Sequence, residues 1–106
     1  MLTGKYLAIT AVLALSISVG TAGAETRHIT IEKMAFSPLE IDAKVGDTIE
    51  WTNNDAFAHT ATVKGGFDIM LAPKKTGSVV VKSAGNLDYY CRFHPNMKGR
   101  IVVSAP

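Results

Sequence analysis

Apolar and polar residues alternate along most of this chain once its first two dozen positions are passed. "HITIE" (28–32), "LEIDAKV" (39–45) and "TIEWTN" (48–53) each set roughly every second residue on one apolar face. In the last of these, Ile49 and Trp51 face a core while Thr48, Glu50 and Thr52 face water. "HTATV" (59–63), "SVVVKS" (78–83), "LDYYC" (87–91) and "RIVVS" (100–104) continue the series. Turn formers separate the runs: Ser37-Pro38, Gly46-Asp47, Asn53-Asn54-Asp55, Gly65-Gly66, Gly85-Asn86 and Lys98-Gly99. A period of two with turns this frequent predicts an all-β domain, an antiparallel β-sandwich of about seven short strands. Segment 67–77, "FDIMLAPKKTG", fits the pattern least. It reads as a short strand running into a loop, with Lys74 and Lys75 solvated.

The opening 24 residues have another character. Lys5 supplies a positive charge, Tyr6 to Val19 is apolar apart from Thr and Ser, and Ala22-Gly23-Ala24 has the small-x-small form of a cleavage site. These features predict a secretory signal peptide cut after Ala24 and a periplasmic destination. The apolar run is shorter than the roughly 20 residues that span a bilayer, so no membrane insertion of the mature chain is expected. Residues 25–106 then form one domain. The whole chain carries a net charge of +2, and loss of Lys5 brings it closer to neutral. That balance argues against nucleic acid or an anionic membrane surface as partner. So small a domain gains from a staple. Cys91 is the one cysteine, so it makes no internal disulfide, and a bare thiol is a liability in an oxidising compartment. A metal ion answers both needs.

The candidate chemistry lies in "YYCRFHPNM" (89–97), where Cys91, His94 and Met97 follow one another at C-x2-H-x2-M spacing. Taken singly, a free cysteine or a methionine is more often core packing than ligand. One face of a helix would give the same spacing, but Pro95 inside the run and Gly99 beyond it argue against a helix. His59, at the start of "HTATV" just after the turn "NNDAFA", adds a second imidazole. In a Greek-key sandwich that strand end lies beside the loop after a late strand. Two imidazoles, one thiolate and a weak thioether make the ligand set of a blue-copper electron-transfer site. Zinc prefers another thiolate, imidazole or carboxylate to a thioether, and the C-x-x-C-H of haem c attachment does not occur.

"KVGDTIEWTNNDAFAHT" and "LDYYCRFHPNMKGRIVV" together resemble the cupredoxins, over nearly the whole of residues 25–106. The short C-x2-H-x2-M loop is similar to that of the amicyanin branch. The resemblance implies a Greek-key β-sandwich, one copper per chain, and His59, Cys91, His94 and Met97 as its ligands. It also implies a monomer that shuttles single electrons between redox partner proteins and is no enzyme. Two positions depart from the better-known members: Thr60 stands where Asn is usual, and Arg92 where Ser or Thr is usual. These neighbours join the two ligand segments and tune the thiolate, so the departures bear on the reduction potential.

By the same resemblance His94 is the exit for the electron, with Pro95 and Met97 around it. Phe57 and Phe93 either join these in an apolar patch or pack in the core, and the core is the expectation, as aromatic residues are usually buried; Met34 and Met70 are expected as packing. Arg92, Lys98 and Arg100, with Lys64, form a basic rim in sequence, which would suit an acidic docking surface. His28 reads as an exposed residue opening the first strand, in preference to a second copper ligand near a trimmed N-terminus. The competing function is a copper carrier that delivers the metal instead of electrons through the same four ligands. A third, in which Cys91 is a thiol nucleophile with a histidine base, leaves Met97 unexplained.

Overall fold

The computed structural model describes residues 23–106; the expected leader, apart from its last two residues, lies outside them. Nine strands follow in order: β1 Thr26–Glu32, β2 Ala35–Ser37, β3 Glu40–Lys44, β4 Thr48–Asn53, β5 His59–Thr62, β6 Asp68–Leu71, β7 Thr76–Val80, β8 Gly85–Tyr90 and β9 Lys98–Ser104. They form two sheets, a four-stranded β2-β1-β4-β7 and a five-stranded β3-β9-β8-β5-β6. Each contains one parallel pair, β1 with β4 and β3 with β9, beside antiparallel ones. Period two assigns a residue to a face and carries no information on which neighbour the strand takes, or in which direction.

The all-β class holds, with β2 an addition to the expected strands and β6 the short strand expected in segment 67–77. β2 is a three-residue return of β1, too short to show a period. Segment 67–77 resolves into β6 and the start of β7, which belong to different sheets. The tight Ala72–Lys75 turn, closed by the Lys75 N–H donating to the Ala72 carbonyl, carries the chain across.

β4 buries Ile49 and Trp51 completely, as its alternation predicts. β5 does not alternate: His59, Thr60, Ala61 and Thr62 are all buried. Ala61 faces the core, and on the opposite face Thr60 and Thr62 are covered by the Arg92 backbone and Asp68, to which they hydrogen-bond. At the centre, the Tyr89 ring meets Phe36 edge-on at 4.7 Å and Trp51 at 5.5 Å, geometries that suit aromatic quadrupoles. Gly99 stands opposite Tyr89 in the β8–β9 register, and the backbone there approaches the ring so closely that no side chain fits between them. Burial pushes the Tyr89 hydroxyl up to about 12, so the ring stays neutral at any physiological pH.

Asp47 anchors the turn from β3 to β4. Its carboxylate accepts the N–H groups of Lys44 at 2.8 Å and Glu25 at 2.9 Å, with the Arg27 guanidinium 3.5 Å away. The two backbone donors, and after them Arg27, hold the carboxyl below its ordinary value of 3.8 against the opposing effect of burial. A depressed folded-state value means that stability is gained above the ordinary value and lost as pH falls through the lowered one. Asp47→Asn is therefore expected to melt below the parent at pH 7, with the gap closing as the pH is taken under 3.8. A gap of constant size from pH 7 down through that range in thermal melts would exclude the charge as its cause.

Candidate metal centre

β8 and β5 are antiparallel, so the loop leaving β8 and the residue opening β5 lie at the same end of the larger sheet. The loop is built from two consecutive turns. The His94 N–H donates to the Cys91 carbonyl at 3.2 Å and the Met97 N–H to the His94 carbonyl at 2.8 Å. Pro95 takes the second position of the second turn, where its fixed φ fits. The Cys91 N–H donates back to the Met97 carbonyl at 3.1 Å and closes the loop on itself. Each step of three in C-x2-H-x2-M is thus one hydrogen-bonded turn.

His59 reaches the same place by another route. Asn53, fully buried at the end of β4, donates from Nδ2 to the carbonyls of Phe57 at 2.7 Å and Leu71 at 3.0 Å. Its Oδ1 accepts the Asp55 N–H at 2.9 Å. One amide side chain therefore shapes the connection that delivers His59 and ties it to the end of β6. Asp55 finishes the placement: its Oδ2 lies 2.8 Å from Nε2 of His59. A carboxylate only accepts, so Nε2 carries the proton and Nδ1 keeps its lone pair. The same carboxylate accepts the N–H groups of Lys33 and Met34. Both residues sit at positive φ in the β1–β2 turn, a turn type that strand twist favours. Burial on its own raises the Asp55 carboxyl; hydrogen bonds from Met34, His59 and Lys33 outweigh it and hold the group below its ordinary value.

The two routes meet at the Cys91 sulfur. Sγ lies 3.8 Å from Nδ1 of His59 and 3.6 Å from Nδ1 of His94, and the three donor atoms all fall within 4.8 Å of one another. Cys91 and His59 are fully buried, Met97 nearly so, and His94 half-buried. The Thr60 N–H points at the sulfur from 3.4 Å, a donor suited to a thiolate. His94, Met97, Pro95, Asn96 and Met34 line a shallow groove on the outer side. A soft sulfur with an imidazole nitrogen of His59 and one of His94 beside it fits a copper ion. In a buried site of this composition, the fixed tautomer of His59 is the outer support such metals need.

Residues 5–103 match the family of the cupredoxin-like domain. This chain belongs to that family. The cupredoxin is 36% identical to amicyanin-alpha of Methylorubrum extorquens, over 81% of this chain and 78% of that protein. It is 34% identical to the amicyanin of Paracoccus denitrificans, over 71% of this chain and 63% of that one. Among solved structures, the reduced Cu(I) form at pH 4 of an amicyanin mutant superposes with a TM-score of 0.70 at 32% identity, covering 80% of this chain and 86% of the other.

Several surface expectations for this cupredoxin change. Phe57 and Phe93, expected in the core, are 61% and 46% exposed, the first at the tip of the connection held by Asn53 and the second inside the ligand loop. Met34 and Met70 are exposed rather than packed. Of the basic rim, Arg92 is held by Asp68 at 3.0 Å and Arg100 by Asp88 at 2.7 Å. Lys64 and Lys98 carry no ion-pair partner among the described residues. His28 is exposed, as expected, and faces Glu50 across the parallel pair.

Sequence reasoning missed Asn53 and Asp55, since both sit in a cluster that reads as turn formers; the signal available was an acid four residues before His59. Asp55→Ala is expected to weaken copper retention about 10- to 100-fold, as loss of an outer-shell partner does. Competition against a copper chelator measures this, and an unchanged affinity would show that the buried ring holds its tautomer without Asp55.

Proposed function

We infer that this cupredoxin is a type 1 blue-copper protein, not an enzyme, that shuttles single electrons between redox partner proteins. His59, Cys91, His94 and Met97 are the proposed ligands of one copper per chain. The observation that carries the reading is the buried Cys91 thiol with two imidazole nitrogens turned toward it. When bound, copper supplies the one-electron step between Cu(I) and Cu(II). The protein's part is to keep the donors still. Cys91 is held by the closed loop and by Thr60, His59 by Asp55, and His94 by its turn. All of these bonds are made by the protein without the metal, so the donors are already set in place and rearrangement on electron transfer stays small. The test is titration of residues 25–106 with Cu(II). An intense red-region band saturating at one copper per chain is expected; binding without that band, or of Cu(I) alone, would favour copper delivery.

Docking involves the end of the sandwich where His94 is half-buried, with Met34 and Pro95 beside it. Small apolar contacts suit transient electron-transfer encounters. Lys64 and Lys98, on one flank, favour a partner with acidic groups on its rim.

Export to the periplasm follows from the leader. Cleavage after Ala24 would make the Glu25 nitrogen, 2.9 Å from Asp47 Oδ1, an α-ammonium. Processing would then turn a hydrogen bond from a neutral amide to the Asp47 carboxylate into an ion pair at the base of the domain.

A further inference from the structure

β5 carries His59 and β8 leads to Cys91, yet the two strands are joined by a single ladder position, Thr62 opposite Tyr90. Backbone pairing does not hold the two ligand segments together. A run of side-chain bonds does. The Arg92 N–H donates to Thr60 Oγ1 at 2.8 Å, Thr60 Oγ1 lies 2.9 Å from Thr62 Oγ1, and Thr62 Oγ1 donates to Asp68 Oδ1 at 2.7 Å. The same Asp68 oxygen accepts Nε–H of Arg92 at 3.0 Å, which closes a ring. Asp68 opens β6 directly opposite Thr62.

The direction of this ring is determined. A carboxylate only accepts, so the Thr62 proton is committed to Asp68. The Thr60 hydroxyl must then donate to Thr62, which leaves its lone pairs to the Arg92 N–H. Each bond polarises the next, with the negative end on Asp68. Thr60 is fully buried and Thr62 nearly so, so the hydroxyls have no water to turn to. Thr60 held in this way aims its own N–H at the Cys91 sulfur. Here Thr60 and Arg92, the two departures from the family pattern, act together.

We propose that Asp68, which offers no metal donor, is a positioning residue for the Cys91 thiolate: through Thr62 and Thr60 it clamps the His59 strand to the Cys91 loop and holds the Thr60 N–H on the sulfur. This rests on the blue-copper reading. A hydrogen bond to the thiolate withdraws charge from it and favours Cu(I) over Cu(II), because potentials at such sites follow the bonding around the sulfur. The Asp68–Arg92 pair is half-exposed, and such a pair contributes little to stability; its effect is on geometry.

The test uses Thr62→Val, which removes the relay at nearly constant volume, Asp68→Asn, and the two combined. In the metal-free proteins, amide exchange at Thr60 and Arg92 is expected to quicken about tenfold in either single variant while Ile101 in β9 is unchanged. The double variant should go no further than the singles, as for members of one unit. In the copper-loaded proteins, the affinity ratio should move about three- to tenfold toward Cu(II), tenfold corresponding to about 59 mV for one electron. The shift should persist at 1 M salt, where screening reaches about 3 Å. Unchanged exchange at Thr60 and Arg92, additive effects, or a shift confined to Asp68→Asn and abolished by salt would each overturn the clamp and leave Asp68 an exposed charge. Absence of a thiolate–copper band in the parent would instead overturn the blue-copper reading, and the metal-free exchange would still decide the clamp.

Discussion

Serine in place of Cys91 is expected to abolish the intense red-region absorption expected of the copper-loaded protein. The band requires a sulfur-to-copper bond, and Cys91 is the chain's one cysteine. Serine is close in size, so the fold should survive: the site is buried, but the Thr60 N–H that meets Sγ at 3.4 Å can still donate to a hydroxyl oxygen. What is lost is softness. A hydroxyl stays protonated at neutral pH and suits Cu(I) poorly, whereas His59 and His94 keep their nitrogens. Cu(I) affinity is therefore expected to fall by more than Cu(II) affinity. Visible spectra give the first result, competition titrations with each oxidation state the second, and circular dichroism of the metal-free variant shows whether the sandwich persists. A band surviving in Cys91→Ser would exclude the thiolate as its source.

Alanine in place of Gly99 is expected to destabilise the metal-free domain by about 2–3 kcal/mol, the upper part of the range for overpacking a core. A methyl group at this position would overlap the Tyr89 ring, meeting ring carbons as well as the hydroxyl oxygen. The ring has nowhere to withdraw, being 2% exposed and set between Phe36 and Trp51. For a domain of this size the melting temperature should drop by roughly 10–20 °C. Tyr89→Phe should not relieve Gly99→Ala, because the carbons still collide, while Tyr89→Leu should recover part of the loss as a coupled pair. Urea unfolding of the parent, the three single variants and the two double variants measures both cycles. A Gly99→Ala variant as stable as the parent would mean that β9 slides away from β8 at no cost. Such a slide would also displace Met97, which lies two residues before Gly99 and closes the ligand loop on Cys91.

These outcomes differ in how far they were readable beforehand. Cys91, His94 and Met97 declare themselves because the spacing is local: three residues are one turn, and Pro95 and Gly99 exclude the helix that would otherwise explain it. His59 is less local, and its nearness to Cys91 depended on a topology inferred from strand count and family likeness. Asp55 offered only its place four residues before His59, and Asp68 gave no signal. Each acts on groups that only folding brings near: Asp55 on the β1–β2 turn more than 20 residues away, and Asp68 on Arg92, 24 residues on. Nothing in a neighbouring residue type marks such a bond. Half of the basic rim was hidden for the same reason, since Arg92 and Arg100 look free until Asp68 and Asp88 are placed beside them.

The sequence by itself determined the all-β class, the inward faces of strands such as β4, and the thiol–imidazole–thioether loop, because period-two burial and single turns are properties of a few adjacent residues. Tertiary structure alone decided the two parallel pairings, the complete burial of β5, the exposure of Phe57 and Phe93, and the proton that Asp55 fixes on His59. Those depend on which distant strand arrives alongside, and that is settled by the packing of the whole sandwich.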